Sequence, residues 1–204
     1  MTKRGKFIVL EGGDGAGKGT LVGHLKKVLA VEQYVYTREP GGTPVGEKIR
    51  EVLLGEVMEP ETELALHFAY RPELFKKVIL PALENGVHVI DERHIASTYA
   101  YQIGGREHPE LLPVFRMNES ACEAYASPDL YVYLDLAPEE AKRRLLAKGQ
   151  ALDRFELEGL EFHTRVRASY HEYFKTRRHI LVDASLGVDV LCKEIERIIR
   201  AETE

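Results

Sequence analysis

The chain has no tryptophan, three methionines and only two cysteines, Cys122 and Cys192. With no C-x-x-C pair and no His/Cys spacing that suits zinc, neither a disulfide framework nor a structural zinc site is expected. The two thiols should instead pack as small buried hydrophobes in a reduced, cytoplasmic protein. No apolar run approaches the ~20 residues that cross a bilayer. The lysine-containing start leads into a strand rather than a signal peptide. Positive charge is also short: 28 Lys and Arg against 33 Asp and Glu leave a net charge of −5, so neither nucleic-acid nor membrane partners are expected. Internal repeats, low-complexity runs and an N-K-x-D guanine-reading element are missing too, which removes a solenoid and makes a GTPase switch remote. What remains is 204 residues with 44% hydrophobic content, enough for one α/β domain over 1–204 with a full core.

What is present is concentrated near the N-terminus. Phe7-Ile8-Val9-Leu10 reads as a buried strand, and Leu21, Leu25, Val28 and Leu29 follow at helical spacing. Between them Gly12-Gly13-Asp14-Gly15-Ala16-Gly17-Lys18-Gly19-Thr20 has the G-x-x-x-x-G-K spacing of a phosphate loop. So little side-chain bulk lets successive backbone N–H groups aim at phosphate oxygens, with a helix N-terminus behind them and Lys18 reaching the outer phosphates. Gly19 stands where a Ser or Thr would ligate Mg²⁺, so Thr20 or water must substitute, with carboxylates elsewhere holding the metal.

Tyr34-Val35-Tyr36-Thr37 forms a second strand that delivers Arg38 at its carboxyl end, where open α/β sheets place ligands; alone, Arg38 reads equally as a solvated loop charge. Val45 to Leu54 is a short helix. A longer one opens at Glu61-Thr62 and runs through Phe68 to Leu83, kinked at Pro72. Val87-His88-Val89-Ile90 is a third strand ending in Asp91-Glu92-Arg93-His94: the two carboxylates suit Mg²⁺ and Arg93 suits a phosphate. A polar helix start at Ser97-Thr98 follows, then a helix from Leu111 to Tyr125. Leu130–Leu134 and Ile180–Val182 complete five strands alternating with helices, which predicts a parallel sheet covered on both faces in three layers.

Three further runs carry a resemblance. Thr37-Arg38-Glu39-Pro40-Gly41-Gly42-Thr43, Ser97-Thr98-x-Ala100-Tyr101-Gln102 and Leu152-Asp153-Arg154-Phe155-Glu156, read in this order after the P-loop, resemble the thymidylate kinase family over nearly the whole chain. The resemblance implies the P-loop NTPase fold with a short lid, here about 147–156. It also implies a cytoplasmic, Mg²⁺-dependent homodimer that transfers the γ-phosphoryl of ATP to dTMP for dTTP synthesis. Gly12 to Thr20 would hold ATP and Asp14 the dTMP sugar; Arg38 and Arg93 would grip the acceptor phosphate. Arg71 would bond a thymine carbonyl, Ser97, Thr98 and Gln102 would line the base pocket, and Tyr101 would sit under the deoxyribose.

The family pattern is altered at two places. Glu92-Arg93-His94 stands where the family has D-R-[YH], with Asp91 preceding it, and His67 stands four residues before Arg71, where the family stacks a Phe on thymine. Either His67 faces the base or a register shift near Pro72 brings Phe68 to it. A base-facing His67 is expected to titrate near its ordinary value and to change nucleobase affinity between about pH 5.5 and 7.5. Gly15 and Ala16 offer no cation inside the P-loop, so catalytic positive charge is expected from Lys148 to Arg154, with Lys18, Arg93 and Arg154 as the catalytic set. The rival readings are a kinase for another deoxynucleoside monophosphate and a catalytically weakened nucleotide-binding paralogue.

Overall fold

The structure is a computed structural model that describes residues 3–149 and 151–204. Gln150, inside the stretch expected to form the lid, lies outside the described residues. Five parallel strands, β1 (Phe7–Gly12), β2 (Tyr34–Arg38), β3 (His88–Glu92), β4 (Leu130–Asp135) and β5 (His179–Asp183), pair in the order β2-β3-β1-β4-β5. The chain winds outward to β2, returns through β3 and then crosses to β4 and β5, so the winding reverses at β1. In such sheets the crevice at the carboxyl ends of the strands beside this reversal is the binding position. The register pairs Leu10 and Arg38 with Glu92, which brings the ends of β1, β2 and β3 to one level.

β1 reads as an unbroken apolar run because both faces of the sheet are covered. Phe7, Val9, Val89, Tyr131 and Tyr133 enter one core, while Ile8, Leu10, Ile90, Val132 and Leu134 enter the other. Helices α1 (Lys18–Val28) and α10 (Val188–Thr203) pack on the second face, with α8 (Pro138–Ala147) beside them. The first face carries α3 (Pro60–Ala69), α7 (Leu112–Glu123) and α9 (Leu160–Phe174). The helix α2 (Pro44–Gly55) follows β2, its N-terminus capped by Thr43, whose Oγ1 accepts from Gly46 N at 3.0 Å.

The long helix predicted through Pro72 is broken instead. α3 ends at Ala69, α4 (Arg71–Leu74) begins afresh, Phe75–Ile79 widens into a π-helical turn, and α5 (Leu80–Glu84) closes the segment. Pro72 falls at the start of a helical piece, where the missing N–H has no partner to lose, and Pro81 follows the widened turn on continuous helical backbone. A second widened turn, Tyr99–Gly105, follows α6 (Ile95–Thr98).

Candidate active site

The loop after β1 takes the conformation its glycines permit. Gly15 lies at φ +76°, and a Cβ there would fall 2.7 Å from the Ala141 carbonyl oxygen; Gly17, at φ +95°, precedes α1 directly. Lys18 folds back so that Nζ donates to the Gly12 and Gly13 carbonyls, both at 2.9 Å. Burial, reinforced by the nearby Arg93 charge, pulls its ammonium down to about 8. An incoming phosphate would supply the countercharge that this lysine lacks.

Against the loop stands Arg93, just past the end of β3, on the left-handed backbone at φ +69°, an uncommon conformation for a side chain of this size. Its amide donates to Leu10 O at 2.9 Å, which anchors it to the end of β1. One guanidinium nitrogen donates to Gly12 O at 3.0 Å and Ser97 Oγ at 3.1 Å; the other pairs with Asp14. Tyr101 lies under the group at 5.1 Å and donates its hydroxyl to Asp14 at 2.7 Å. Burial would raise the Asp14 carboxyl, yet Arg93 and Lys18 hold it below its usual range. Behind this layer Glu11, fully buried and raised by that burial, accepts from His94 N at 2.8 Å, Ser97 Oγ at 2.6 Å and Tyr170 at 3.1 Å. Nothing in the sequence distinguished Glu11 from the end of an apolar strand.

The floor of the cleft is ionic and buried. Glu39 accepts from Arg71 Nε, Tyr70 and His94 Nδ1 at 2.8, 3.0 and 2.8 Å, while Arg71 also donates to Thr98 Oγ1 at 2.8 Å. Burial opposes ionisation of Glu39, but Arg71 and His94 outweigh it and bring the carboxyl to about 2. Asp91 does not join the cleft. Consecutive strand residues face opposite sides, so Asp91 shares a face with Val9 and Val89, fully buried, with neither carboxylate oxygen hydrogen-bonded. Burial and then Glu39 and Glu11 push its pKa far above the carboxylate range, and its carboxylate lies grouped with Glu39 and His94, ligand atoms within 4.8 Å of one another, behind the cleft rather than in its lining. Of the two acids expected at a metal, only Glu92 lines the cleft.

The cleft holds about 230 Å³ and runs from Asp14, Gly15, Lys18 and Gly19 past Arg93 to Arg71, Ser97, Thr98, Tyr101 and Gln102. Thr20 is exposed and takes no part in the lining. His67 forms part of the wall, whereas Phe68 turns to the core against Phe115, with ring centroids 5.9 Å apart. Burial, with Arg71 beside it, pushes His67 down to about 3, so the titration expected between pH 5.5 and 7.5 does not occur: the ring is neutral throughout that range.

Two arginines sit elsewhere than the resemblance implies. Arg38 is half-exposed and bonded to Glu47 at 2.8 Å; the third arginine of the lining, beside Arg71 and Arg93, is Arg50, held by the Pro40 carbonyl at 2.9 Å. Its only sequence signal was its position one helical turn after Glu47, which shares its face. Arg154 is committed to Leu53 O and Glu63 Oε2, both at 2.6 Å, while Lys148, Asp153, Phe155 and Glu156 from the same segment line the cleft.

Comparison with known proteins agrees with this geometry. Residues 10–195 match the family described as Thymidylate kinase. The chain is 42% identical over 207 residues to a thymidylate kinase of Bordetella pertussis, spanning 98% of this chain and 97% of that protein. For the thymidylate kinase of Methylobacillus flagellatus the identity is 41% over 207 residues, with 97% and 98% covered. That of Ralstonia nicotianae is also 41% identical, over 205 residues, with 96% and 98% covered. Agreement over so much of each sequence, on a sheet whose reversal point carries the phosphate loop and its facing arginine, leaves one conclusion: the chain belongs to the thymidylate kinase family, a family of phosphotransferases.

Proposed function

We propose that the chain transfers the γ-phosphoryl of ATP to dTMP, giving dTDP and ADP. One observation carries this reading: Lys18 from the start of α1 and Arg93 from the end of β3 both donate to the Gly12 carbonyl, at 2.9 and 3.0 Å. Two cations converging on one oxygen mark a point where a phosphoryl group can pass between two anions. Phosphoryl transfer asks the protein mainly for alignment and charge neutralisation, and no covalent nucleophile is needed. Lys18 and the loop amides hold the donor. Arg93 holds the acceptor phosphate, with Arg50 in the lining beside it and Arg38 able to join if it leaves Glu47. Asp14 and Tyr101 meet the sugar, and His67, Arg71, Ser97, Thr98 and Gln102 surround the base.

Mg²⁺ fits the donor set through Glu92, since this ion ordinarily takes one or two carboxylates together with substrate phosphates and water. When bound, the ion offsets phosphate charge. The segment about 147–156 acts as the lid, and Lys148, which lines the cleft, supplies its positive charge in place of Arg154. One domain, a homodimer and a cytoplasmic setting complete the proposal; among the described residues no helix is long and apolar enough to cross a membrane. Sedimentation at micromolar concentration tests the dimer.

The deciding experiment is a coupled assay with ATP and a panel of dTMP, dUMP, dCMP and dGMP. A kcat/KM for dTMP at least tenfold above the others is expected. Preference for another monophosphate would replace the acceptor, and nucleotide binding without turnover would replace the activity.

A further inference from the structure

We propose that Glu63 is a positioning residue for the acceptor end of the cleft, acting at a distance through the ring of Phe155. Glu63 does not line the cleft and is only 3% exposed. Its Oε2 accepts from Arg154 at 2.6 Å, and its Oε1 accepts from Gln102 at 2.9 Å and Arg106 at 3.5 Å. The two guanidinium groups it holds both lie against Phe155, Arg154 at 4.1 Å and Arg106 at 5.5 Å from the ring centroid. An aromatic face attracts a cation, but two cations near one ring repel each other. The Glu63 carboxylate, bonded closely to Arg154 and at 3.5 Å to Arg106, offsets that repulsion, with Glu158 pairing Arg106 from its other side.

The ring so held is a wall. Phe155 lines the cleft and meets His67 and Tyr101 edge-on, with centroids at 6.4 and 5.8 Å. Its position sets the width of the space left between α3 and the widened turn Tyr99–Gly105. Arg154 therefore serves the acceptor end through packing, and its other bond, to Leu53 O, ties the same corner to α2. This inference rests on reading that end of the cleft as the dTMP site.

The test is steady-state kinetics on the full-length enzyme. Glu63→Gln keeps the shape and loses the charge; it should raise KM for dTMP about tenfold while kcat and KM for ATP stay within threefold. Phe155→Ala should do the same, and Glu63→Gln combined with Phe155→Ala should be no worse than Phe155→Ala alone, because both act on one wall. Should Glu63→Gln fail to fold, Arg154→Lys, which retains one charge and loses the planar stack, takes its place in the same cycle. A purely structural ion cluster would lower the unfolding midpoint without moving KM for dTMP, and that result overturns the proposal. Additive effects in the double variant overturn it as well. If Phe155→Ala raised KM for ATP and left that for dTMP unchanged, the reading of the cleft itself would fall, and this inference with it.

Discussion

Lys18 is buried with a pKa of about 8, against 10.5 for a free lysine. Because the folded value is the lower one, the unfolded chain holds the proton more tightly. The cost of burial is complete below about pH 8 and shrinks as pH rises towards 10.5. The gap between the two values corresponds to about 3 kcal/mol. Lys18→Met should therefore unfold at higher urea than the parent at pH 7, with the advantage narrowing by pH 10. Lys18→Ala should lose at least about 10²-fold in kcat with an unchanged far-ultraviolet dichroism spectrum. His67 has the same sign of shift and a different outcome: at about 3 it is neutral above pH 5. His67→Phe should change the dTMP dissociation constant by one factor at every pH from 5.5 to 7.5, and calorimetric titration across that range would reveal any slope. Lys18 and Arg93 were legible because a loop spacing and a strand end announce them. The burial of Asp91 was not, since an acid beside a strand terminus reads the same whether it faces the ligand or the core.

At the scale of elements, the strands were readable from apolar runs bounded by turn residues, and each lies where that pattern predicts. Helix interruptions were harder. A proline announces a break but not its form, and the widened turns at Phe75–Ile79 and Tyr99–Gly105 leave no composition signal. The second of these packs hard on α9: a Cβ on Gly105 would lie 2.7 Å from Val166 Cγ2 and 2.8 Å from Phe162 Cε2. Gly105→Ala must push the helix away, at a cost of about 1–3 kcal/mol, readable as a lower denaturant midpoint. Because α9 also carries Tyr170, which bonds Glu11 at 3.1 Å and approaches Arg93 at 3.3 Å, the same change should lower kcat. Unaltered stability and turnover would show that α9 yields without consequence.

For the whole molecule, the alternation of strands and helices predicted a parallel three-layer architecture, but the pairing of distant side chains is beyond periodicity. Glu39 meets Arg71 and His94 across 32 and 55 positions, and Arg154 meets Glu63 across 91. No local pattern encodes such partners, and for this reason Arg154 could be named from its motif while its contacts with Glu63 and Leu53 could not. Ligand binding should act on the molecule as a unit: dTMP at 100 times its dissociation constant stabilises by about 2.7 kcal/mol, several degrees in a thermal melt. The central position of β1 has a consequence for exchange of backbone hydrogens with heavy water. Every residue of β1 is buried, and its neighbours β3 and β4 bond it on both sides, so its amides should exchange only when the whole chain unfolds. The strand leading into the phosphate loop would then keep its deuterium pattern whether or not nucleotide is bound. Protection gained on binding should appear instead around Lys148, Asp153, Phe155 and Glu156, which line the cleft without belonging to the sheet. One wall of the cleft is as durable as the fold, and the other is only as durable as the ligand's stay.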